Sequence, residues 1–322
     1  MAHVWKSDPV NPDPEAVSQA AELLRSGRLV AIPTETVYGL AANALDEFAV
    51  QTIFAVKGRP STNPLIVHVE SEDDMKRVAS SISDAARMLM QAFWPGPLSL
   101  VLPKQPHVPQ IVTASGPTVA VRCPNHAVAR AIIRMAGVPL AAPSANRSNE
   151  ISPTKAEHVV RAFESDERVA GIMDAGPCQV GIESTVLDVS GAVPKILRPG
   201  MITRPMIEAV VGPIADEVEP SGIAKSPGMM ARHYCPQTPL FLVHQADFHK
   251  ELQLAQEAGQ SVGLVGWDWT VPDQYARGLF DALHRLDQGG FDGIFAWLPP
   301  EEPQWAGVRD RLMRAAAKTK AE

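Results

Sequence analysis

The chain has 322 residues, a formal net charge of −7 and 45% hydrophobic residues, which is typical of a folded globular protein of about two domains. No apolar run approaches the roughly 18 residues that cross a bilayer, and charged residues stand near the start where a signal peptide would be apolar. The three cysteines are far apart and form no C-x-x-C pair, so neither a disulfide framework nor a zinc cluster is supported. We expect a cytoplasmic protein with no membrane segment and no metal site of its own.

Helix and strand patterns alternate over residues 1–212, which predicts a mixed α/β sheet. Asp13 as N-cap, Pro14 after it and Gly27 as a stop predict the first helix. A buried strand follows at 28–33, and Asp46 caps a second helix that ends at Gly58. Further helices are predicted near 83–93, 126–136 and 154–165, and strands near 65–69, 98–102, 118–122, 138–142, 169–173, 184–189 and 194–198.

The regular pattern stops over 213–238, where prolines and glycines predict a linker. Residues 239–322 then predict a second, smaller β-α-β-α-β-α domain, parallel and Rossmann-like. Its strands are expected near 240–243, 261–265 and 291–297, and its helices near 246–258, 275–287 and 304–317. No G-x-G-x-x-G is present, so this unit is not predicted to bind a dinucleotide.

Polar and cationic residues follow several predicted strands of the first domain. The segment P-T-E-T-V-Y-G-L begins at Pro33, directly after a buried strand, and its hydroxyls suit the edge of a sheet where ligands bind. Lys57 and Arg59, separated by one glycine and followed by a polar, proline-restrained loop, suit phosphate oxygens. An ordinary turn and a solvated basic helix end remain the structural alternatives.

Ser144 and Asn146 follow another apolar strand and, at positions i and i+2, point the same way. Arg122 and Arg198 end strands, and taken singly each has a structural explanation. Residues 51–150 carry 10 Lys and Arg against 6 Asp and Glu, a net +4 within an acidic chain. This local excess indicates one anion pocket, whereas a nucleic-acid-binding face usually needs a basic protein.

Taken together, P-T-E-T-V-Y-G-L, K-G-R, S-x-N-P-L, P-S-A-N and E-S-T-V resemble the YrdC-like family in its two-domain form, the threonylcarbamoyl-AMP synthases. The pairs Lys57/Arg59 and Ser144/Asn146 are that family's hallmark. The resemblance covers about 13–212, continues into the linker, and is weaker over the C-terminal domain. It implies a twisted mixed α/β sheet with a positively charged concave surface, followed by the smaller domain.

The resemblance also implies a reaction: ATP, L-threonine and bicarbonate give threonylcarbamoyl-AMP and pyrophosphate. The product would pass to a separate transferase complex that builds threonylcarbamoyladenosine at position 37 of tRNA. Lys57 and Arg59 would be catalytic, and Mg²⁺ would enter bound to the ATP phosphates. The implied ATP-binding residues are Lys57, Arg59, Asn63, Ser144, Asn146, Ser184, Arg198 and Tyr234. The implied threonine-binding residues are Thr34, Tyr38, His68, Arg122, Ala142 and Ser184, with Arg122 forking onto the carboxylate.

In the family the linker folds over the pocket as a lid, and Pro227 and Gly228 supply its hinge chemistry. This chain departs from the family at Met230-Ala231 and over 299–306, so contacts from those positions are not carried over.

The main alternative is a module that binds double-stranded RNA or tRNA and forms no adenylate; direct tRNA binding stays open. A carbamoyltransferase is a second alternative, but its acylphosphatase and zinc-finger-like segments are not found in this sequence.

Overall fold

The computed structural model describes residues 2–215 and 233–317 of the chain. Most of the predicted linker, including its predicted hinge residues Pro227 and Gly228, lies outside the described residues. Tyr234, near the end of that linker, is described. The predicted domain boundaries at 212 and 238 stay predictions.

Within residues 2–215 the strands form one sheet with the order β1-β8-β2-β3-β7-β4-β6-β5-β9-β10. The pairs β1/β8, β2/β8, β4/β6 and β5/β9 are parallel and the other pairs antiparallel, so the sheet is mixed, as predicted. The strands are β1 (His3–Lys6), β2 (Leu29–Ile32), β3 (Gly39–Asn43), β4 (Ile66–His68), β5 (Leu98–Pro103), β6 (Thr118–Arg122), β7 (Leu140–Ala141), β8 (Val169–Asp174), β9 (Thr185–Asp188) and β10 (Lys195–Arg198).

Helices flank this sheet on both faces. They are α1 (Pro14–Arg25), α2 (Glu47–Lys57), α3 (Glu72–Lys76), α4 (Asp84–Phe93), α5 (Ala127–Ala136), α6 (Ala156–Phe163) and α7 (Arg204–Val211). Asp46 caps α2 by accepting from the backbone N–H groups of Phe48 and Ala49. Gly58 ends it in the left-handed conformation, with φ at 62°, a turn that costs glycine little. This turn places Lys57 and Arg59 at the predicted position between helix and loop.

The two faces of the sheet are covered unequally. Leu29 and Ala31 of β2 pack into a large core with α2, α4, α6 and α7, while Val30 and Ile32 pack with α1 and α5. This alternation follows from the two-residue repeat of a strand. On the α1/α5 face, the strands β4, β6, β5 and β9 carry only a small apolar cluster, Ile66, Val101, Ala120 and Val186. That part of the face is where the polar residues gather.

Residues 233–317 form a second, three-stranded parallel sheet with the order β11-β13-β12. Its elements are β11 (Leu240–Val243), α8 (Phe248–Glu257), β12 (Val262–Val265), α9 (Pro272–Asp287), β13 (Gly293–Trp297) and α10 (Ala306–Ala315). The alternation of strands and helices confirms the predicted β-α-β-α-β-α unit. Its apolar core also takes in Val37, Ile151 and Ile182, so it packs directly against segments that connect strands and helices of the first sheet's region.

Most predicted elements occur within two or three residues of their expected bounds. Among the α-helices and strands of the described residues, four short ones were not predicted, namely β1, β3, α3 and α7. Strand β3 begins at Gly39, inside the segment that the sequence indicates as a loop, because it pairs with β2 and β7 rather than showing its own apolar alternation. Among the described residues, no helix is both long and apolar enough to cross a membrane.

Candidate functional site

A small cavity lies on the part of the sheet face that α1 and α5 leave uncovered. Nine of the thirteen predicted site residues line it. Its full lining is Thr34, Thr36, Val37, Gly39, Arg59, Ile66, His68, Arg122, Ala142, Pro143, Ser144, Glu183, Ser184, Arg198, His233 and Tyr234.

Arg59 is buried and lines this cavity. Its side chain is fixed from behind, because Nε donates to the carbonyl of Asn63 at 3.0 Å and a terminal nitrogen donates to the carbonyl of Pro64 at 2.9 Å. Burial lowers the pKa of Arg59 to about 9, so the guanidinium keeps its charge at neutral pH. The proline-restrained loop therefore holds one cation toward the cavity.

Lys57 lies one layer behind the cavity and does not line it. Its ammonium group donates to the carbonyl of Ser144 at 2.5 Å and to the carbonyl of Asn146. Burial, followed by the charge of Arg59, lowers the pKa of Lys57 well below its usual range. Lys57 thus joins the K-G-R turn to the S-x-N segment, two motifs that are 87 residues apart in sequence.

Ser184 and Arg198 also line the cavity and contact each other. The guanidinium of Arg198 donates to the carbonyl of Ser184 at 3.1 and 2.9 Å and to its hydroxyl at 3.2 Å. The Ser184 hydroxyl also lies 2.8 Å from that of Ser99. Burial lowers the pKa of Arg198. Ends of three strands, β5, β9 and β10, thereby supply one polar wall.

Arg122, at the end of β6, has a buried acidic neighbour. One of its terminal nitrogens lies 2.6 Å from Oε1 of Glu35, an ion pair too oblique to count as a hydrogen bond. Its other nitrogens donate to the hydroxyl of Thr36 at 2.8 Å and to the carbonyl of Gly96 at 3.2 Å. The family resemblance implies a fork from Arg122 to a ligand carboxylate, and Glu35 already occupies part of that fork.

His68 and Thr34 line the same end of the cavity as Arg122. Burial, together with the charge of Arg122, lowers the pKa of His68 to about 3, so its imidazole is neutral at physiological pH. Its Nδ1 has no hydrogen-bond partner among the described residues. Ala142 and Ser144 also line the cavity, and a bridge to Gly39 holds Ser144.

Besides Lys57, three predicted site residues do not line the cavity. The Tyr38 hydroxyl donates to the carbonyl of Gly176 at 2.7 Å, which turns it away from the lining residues. Asn146 donates from its side chain to the carbonyls of Arg147 and Glu150, and Asn63 is buried beside Arg59. These three contribute to the walls around the cavity.

The residues His233 and Tyr234 close the cavity from the side of the second sheet. Tyr234, the linker residue that was predicted to reach the site, is 1% exposed and lines the cavity. Burial raises its pKa to about 12, and burial lowers the pKa of His233 to about 3. With both side chains in place the cavity measures about 40 Å³.

Sequence reasoning missed Glu35, Glu183 and Arg311. Both glutamates lie inside quoted motifs, P-T-E-T and E-S-T-V, where a carboxylate beside a buried cation could have been expected. Arg311 lies in α10, far along the chain, yet its Nε donates to Oε2 of Glu183 at 2.7 Å. No local pattern distinguishes Arg311 from the other arginines of that helix.

Outside the cavity, Glu157, His158 and Asp281 place one ligand atom each within 4.8 Å of one another, a spacing that could suit a metal ion. Lys155 already lies 2.7 Å from the Asp281 carboxylate and neutralises it. His158 is held by the backbone N–H of Thr154 and stacks on His284. The cluster is explained as part of the contact between α6 and α9.

Comparisons with known proteins identify the family of this chain. Residues 22–200 match the family model Sua5_yciO_yrdC, described as telomere recombination, and residues 202–317 match the model of the threonylcarbamoyl-AMP synthase C-terminal domain. The threonylcarbamoyl-AMP synthase of Bacillus subtilis is 41% identical over 96% of this chain and 95% of its own length. The enzyme of that name from Pyrococcus abyssi is also 41% identical, over 92% of this chain and 93% of its own.

Among solved structures, P. abyssi Sua5 complexed with L-threonine superposes with a TM-score of 0.89 at 38% identity, covering 98% of this chain and 97% of that one. Escherichia coli YciO, at 21% identity and a TM-score of 0.55, covers 62% of this chain and shares its fold. One family model matches the region of the first sheet and the other that of the second, and each of the two relatives covers more than nine tenths of the chain. The chain therefore belongs to the Sua5/YciO/YrdC family, in the two-domain form whose curated members are named threonylcarbamoyl-AMP synthase.

Proposed function

We propose that this protein is a nucleotidyltransferase that joins L-threonine, bicarbonate and ATP into L-threonylcarbamoyl-adenylate. The threonine amine adds to the carbon of bicarbonate, with loss of water, and gives a carbamate. A carbamate oxygen then attacks the α-phosphorus of ATP, the bond to the bridging oxygen of the β-phosphate breaks, and pyrophosphate leaves. Because the substrates supply nucleophile and leaving group, the protein has to bind, orient and neutralise charge.

The observation that carries the proposal is the convergence of buried cations on one cavity. Arg59, Arg122 and Arg198 line it, and Lys57 lies directly behind it. Burying cations costs free energy unless anions or oriented dipoles compensate them, and for Arg59 the backbone carbonyls of Asn63 and Pro64 supply part of that compensation. A triphosphate beside a carboxylate would supply the rest. The names of the relatives and the threonine-bound P. abyssi structure point to the same pair of substrates.

We assign the nucleotide to the side of the cavity formed by Arg59, Ser184 and Arg198. The two guanidinium groups would neutralise phosphate oxygens and stabilise charge that shifts toward pyrophosphate during an in-line displacement. Lys57 would add charge from behind while holding the segment that carries Ser144 and Asn146. Asn63 and Tyr234 complete the set proposed from the sequence.

We assign threonine to the other end, where Thr34, His68, Arg122 and Ala142 lie and where Ser184 is shared with the nucleotide. The neutral imidazole of His68, with its unpartnered Nδ1, offers a hydrogen bond without adding charge. Tyr38 would act from the surrounding wall. Discrimination against serine would depend on one methyl group, worth about 1–3 kcal/mol in an apolar pocket.

Substrate entry requires Tyr234 and His233 to move. Pockets that bind ligands of drug size measure about 300–1,000 Å³, and ATP needs a pocket of that size. The cavity of about 40 Å³ therefore corresponds to a closed arrangement in which Tyr234 fills the nucleotide side. This fits a lid role for the linker, whose predicted hinge residues Pro227 and Gly228 lie outside the described part of the chain.

Magnesium would enter as the Mg²⁺–ATP substrate. Among the lining residues that the structure describes, the carboxylate is that of Glu183, and it is paired with Arg311. Behind the lining, Glu35 is paired with Arg122. The donor set therefore does not fit a protein-held magnesium cage, and the ion would keep its water and phosphate ligands.

We further propose that the adenylate passes in the cytoplasm to a transferase complex that modifies tRNA. The alternative of an RNA-binding module gains no support from the cavity, because Arg59, Arg122 and Arg198 are all under 8% exposed. A nucleic-acid backbone needs cations that reach outward. Direct contact with tRNA stays an open prediction.

The deciding experiment measures pyrophosphate release from purified protein with Mg²⁺–ATP. Release should require both L-threonine and bicarbonate, and omitting either should reduce it to background. Release from ATP alone at the same rate would contradict the proposed reaction. Binding to tRNA that falls steeply with salt, in a protein that makes no pyrophosphate, would favour the RNA-binding alternative instead.

A further inference from the structure

The C-terminal helix α10 places a fully buried arginine against the cavity wall. Arg311 is 0% exposed, and its side chain reaches out of the second sheet's domain into the first. Its Nε lies 2.7 Å from Oε2 of Glu183, and one terminal nitrogen donates to the Glu183 carbonyl at 3.1 Å. The other terminal nitrogen donates to the carbonyl of Pro199 at 3.0 Å and to Asp310 at 2.7 Å. Every nitrogen of the fork is used.

Arg311 donates to two backbone carbonyls, and these belong to the two segments that carry Ser184 and Arg198. We call these two segments the nucleotide wall. Glu183 immediately precedes Ser184, and Pro199 immediately follows Arg198. Ser184 and Arg198 are themselves hydrogen-bonded to each other across the wall. One guanidinium from α10 therefore ties together the backbones that carry both proposed ATP-binding residues.

Arg311 also faces the residue that closes the cavity. Its guanidinium carbon lies 5.5 Å from the ring centre of Tyr234, in a cation–π arrangement. The Glu183 carboxylate accepts a second hydrogen bond from the Ser152 hydroxyl, so its position is fixed from two sides. The same arginine thus contacts the wall and the closing tyrosine.

The helix approaches the wall as closely as backbone atoms allow. Gly307 is one turn before Arg311, and a Cβ on it would lie 2.8 Å from the Cα of Gly200, a sub-van der Waals contact. Gly200 follows Pro199, so the close approach and the Arg311 hydrogen bond act on the same segment. A side chain at position 307 would push α10 outward and draw Arg311 away from both carbonyls.

We propose that Arg311 is a positioning residue for the nucleotide site, through which the C-terminal domain sets the arrangement of Ser184, Arg198 and Tyr234. Its planar fork fixes two carbonyls and one carboxylate at once, a geometry that a lysine ammonium does not reproduce. The inference rests on the proposed function and gives the C-terminal domain a part in ATP binding. Removal of the fork should therefore raise KM for ATP more than KM for threonine.

The test compares kinetic and thermal data for two variants. Arg311→Met leaves Glu183 buried and unpaired, so it lowers the melting temperature as well as activity. The double variant E183Q/R311M removes both charges, and buried ion pairs replaced by neutral groups often keep their stability. We expect the double variant to melt near the wild-type temperature while its KM for ATP rises about tenfold, which corresponds to about 1.4 kcal/mol.

Three further variants complete the design. Arg311→Lys should fail to restore the wild-type KM, and Gly307→Ala should raise KM for ATP in the same direction. Arg309→Met, on the same helix and paired with the exposed Glu301, is the matched control and should leave both KM values unchanged. A folded double variant with wild-type KM for ATP, or rescue by lysine, would overturn the positioning role. A wild-type protein that releases no pyrophosphate would instead overturn the proposed function.

Discussion

The two sheets differ in where they bury charge. The first sheet's region buries Lys57, Arg59, Arg122 and Arg198 in or beside one cavity. Of residues 233–317, the buried arginine is Arg311, and it points back toward that same cavity. The C-terminal sheet otherwise packs apolar and aromatic side chains. The comparison shows that the buried cations gather in the first sheet's region, and that the second sheet's region contributes Arg311, which contacts Glu183 in the lining of the same cavity.

The largest loss of activity should come from replacing Arg59 or Arg198, two cations that line the cavity. Arg59→Met and Arg198→Met should each lower kcat/KM for ATP by about 10²–10³, the range typical of losing a group that stabilises transition-state charge. Arg285→Met, an exposed arginine of α9, is the matched control from the other sheet and should keep wild-type kinetics. Pyrophosphate release measured against ATP concentration gives the answer.

An activity loss in Arg285→Met as large as in Arg59→Met would break the comparison, because the C-terminal sheet would then carry chemistry of its own. Circular dichroism and melting curves should accompany each variant. Replacement of a buried cation that leaves carbonyl acceptors unpaired costs about 1–3 kcal/mol, so moderate destabilisation is expected without loss of fold.

The buried pair Glu35–Arg122 offers the next largest effect, and it mirrors the pair Glu183–Arg311. Arg122→Met should destabilise the protein by about 3–5 kcal/mol because Glu35 stays buried without its partner. The double variant E35Q/R122M should recover most of that stability but not threonine binding. KM for L-threonine should remain about 10–100-fold above the wild-type value, because the variant lacks a hydrogen bond to a charged group.

Urea unfolding and threonine titrations on the wild type, the single and the double variant separate these two roles. If E35Q/R122M bound threonine as the wild type does, Arg122 would be a structural residue and the threonine carboxylate would have another partner. Recovery of stability without recovery of binding is the result that supports the proposed site.

The sequence predicts the α/β alternation well because caps and glycine stops are local signals. Asp13, Asp46 and Gly58 define helix ends with hydrogen bonds and a left-handed turn that are encoded within four residues. Strand β3 was missed because its burial depends on neighbours from other parts of the chain. The C-terminal unit was predicted because three apolar strand segments alternate there with helices of 10, 16 and 10 residues, which are long enough to show their own period.

The candidate site was predicted in part. Motif residues such as Arg59 and Ser144 occur in recognisable local patterns, and the structure brings them to one cavity. The pairing of Arg122 with Glu35 could not be read from the sequence, because burial of an ion pair depends on tertiary packing. Arg311 is more distant still, 128 residues from Glu183, and only the contact between the two sheets reveals it.

The smallest expected effect is the dependence of ATP affinity on pH. It tests the buried cations of the first sheet's region in the wild-type protein. Burial lowers the pKa of Arg59 to about 9 and lowers that of Lys57, so both lose protons earlier than exposed groups do. Bound phosphates favour the charged forms and raise these pKa values, so ATP binding takes up protons when the free protein has lost them. ATP affinity should therefore fall between pH 8 and pH 10, by about tenfold for one group with a pKa near 9.

The measurement is calorimetric titration with Mg²⁺–ATP in two buffers of different ionisation enthalpy, over a range in which ATP itself is fully deprotonated. His68 and His233, with pKa values lowered to about 3, stay neutral throughout and do not contribute. Arg285→Met should show the wild-type pH dependence, whereas Arg59→Met should show a flatter one. An affinity independent of pH, with no proton uptake at pH 9.5, would mean that ATP does not change the protonation of Arg59 and Lys57, and it would contradict their place in the proposed nucleotide site.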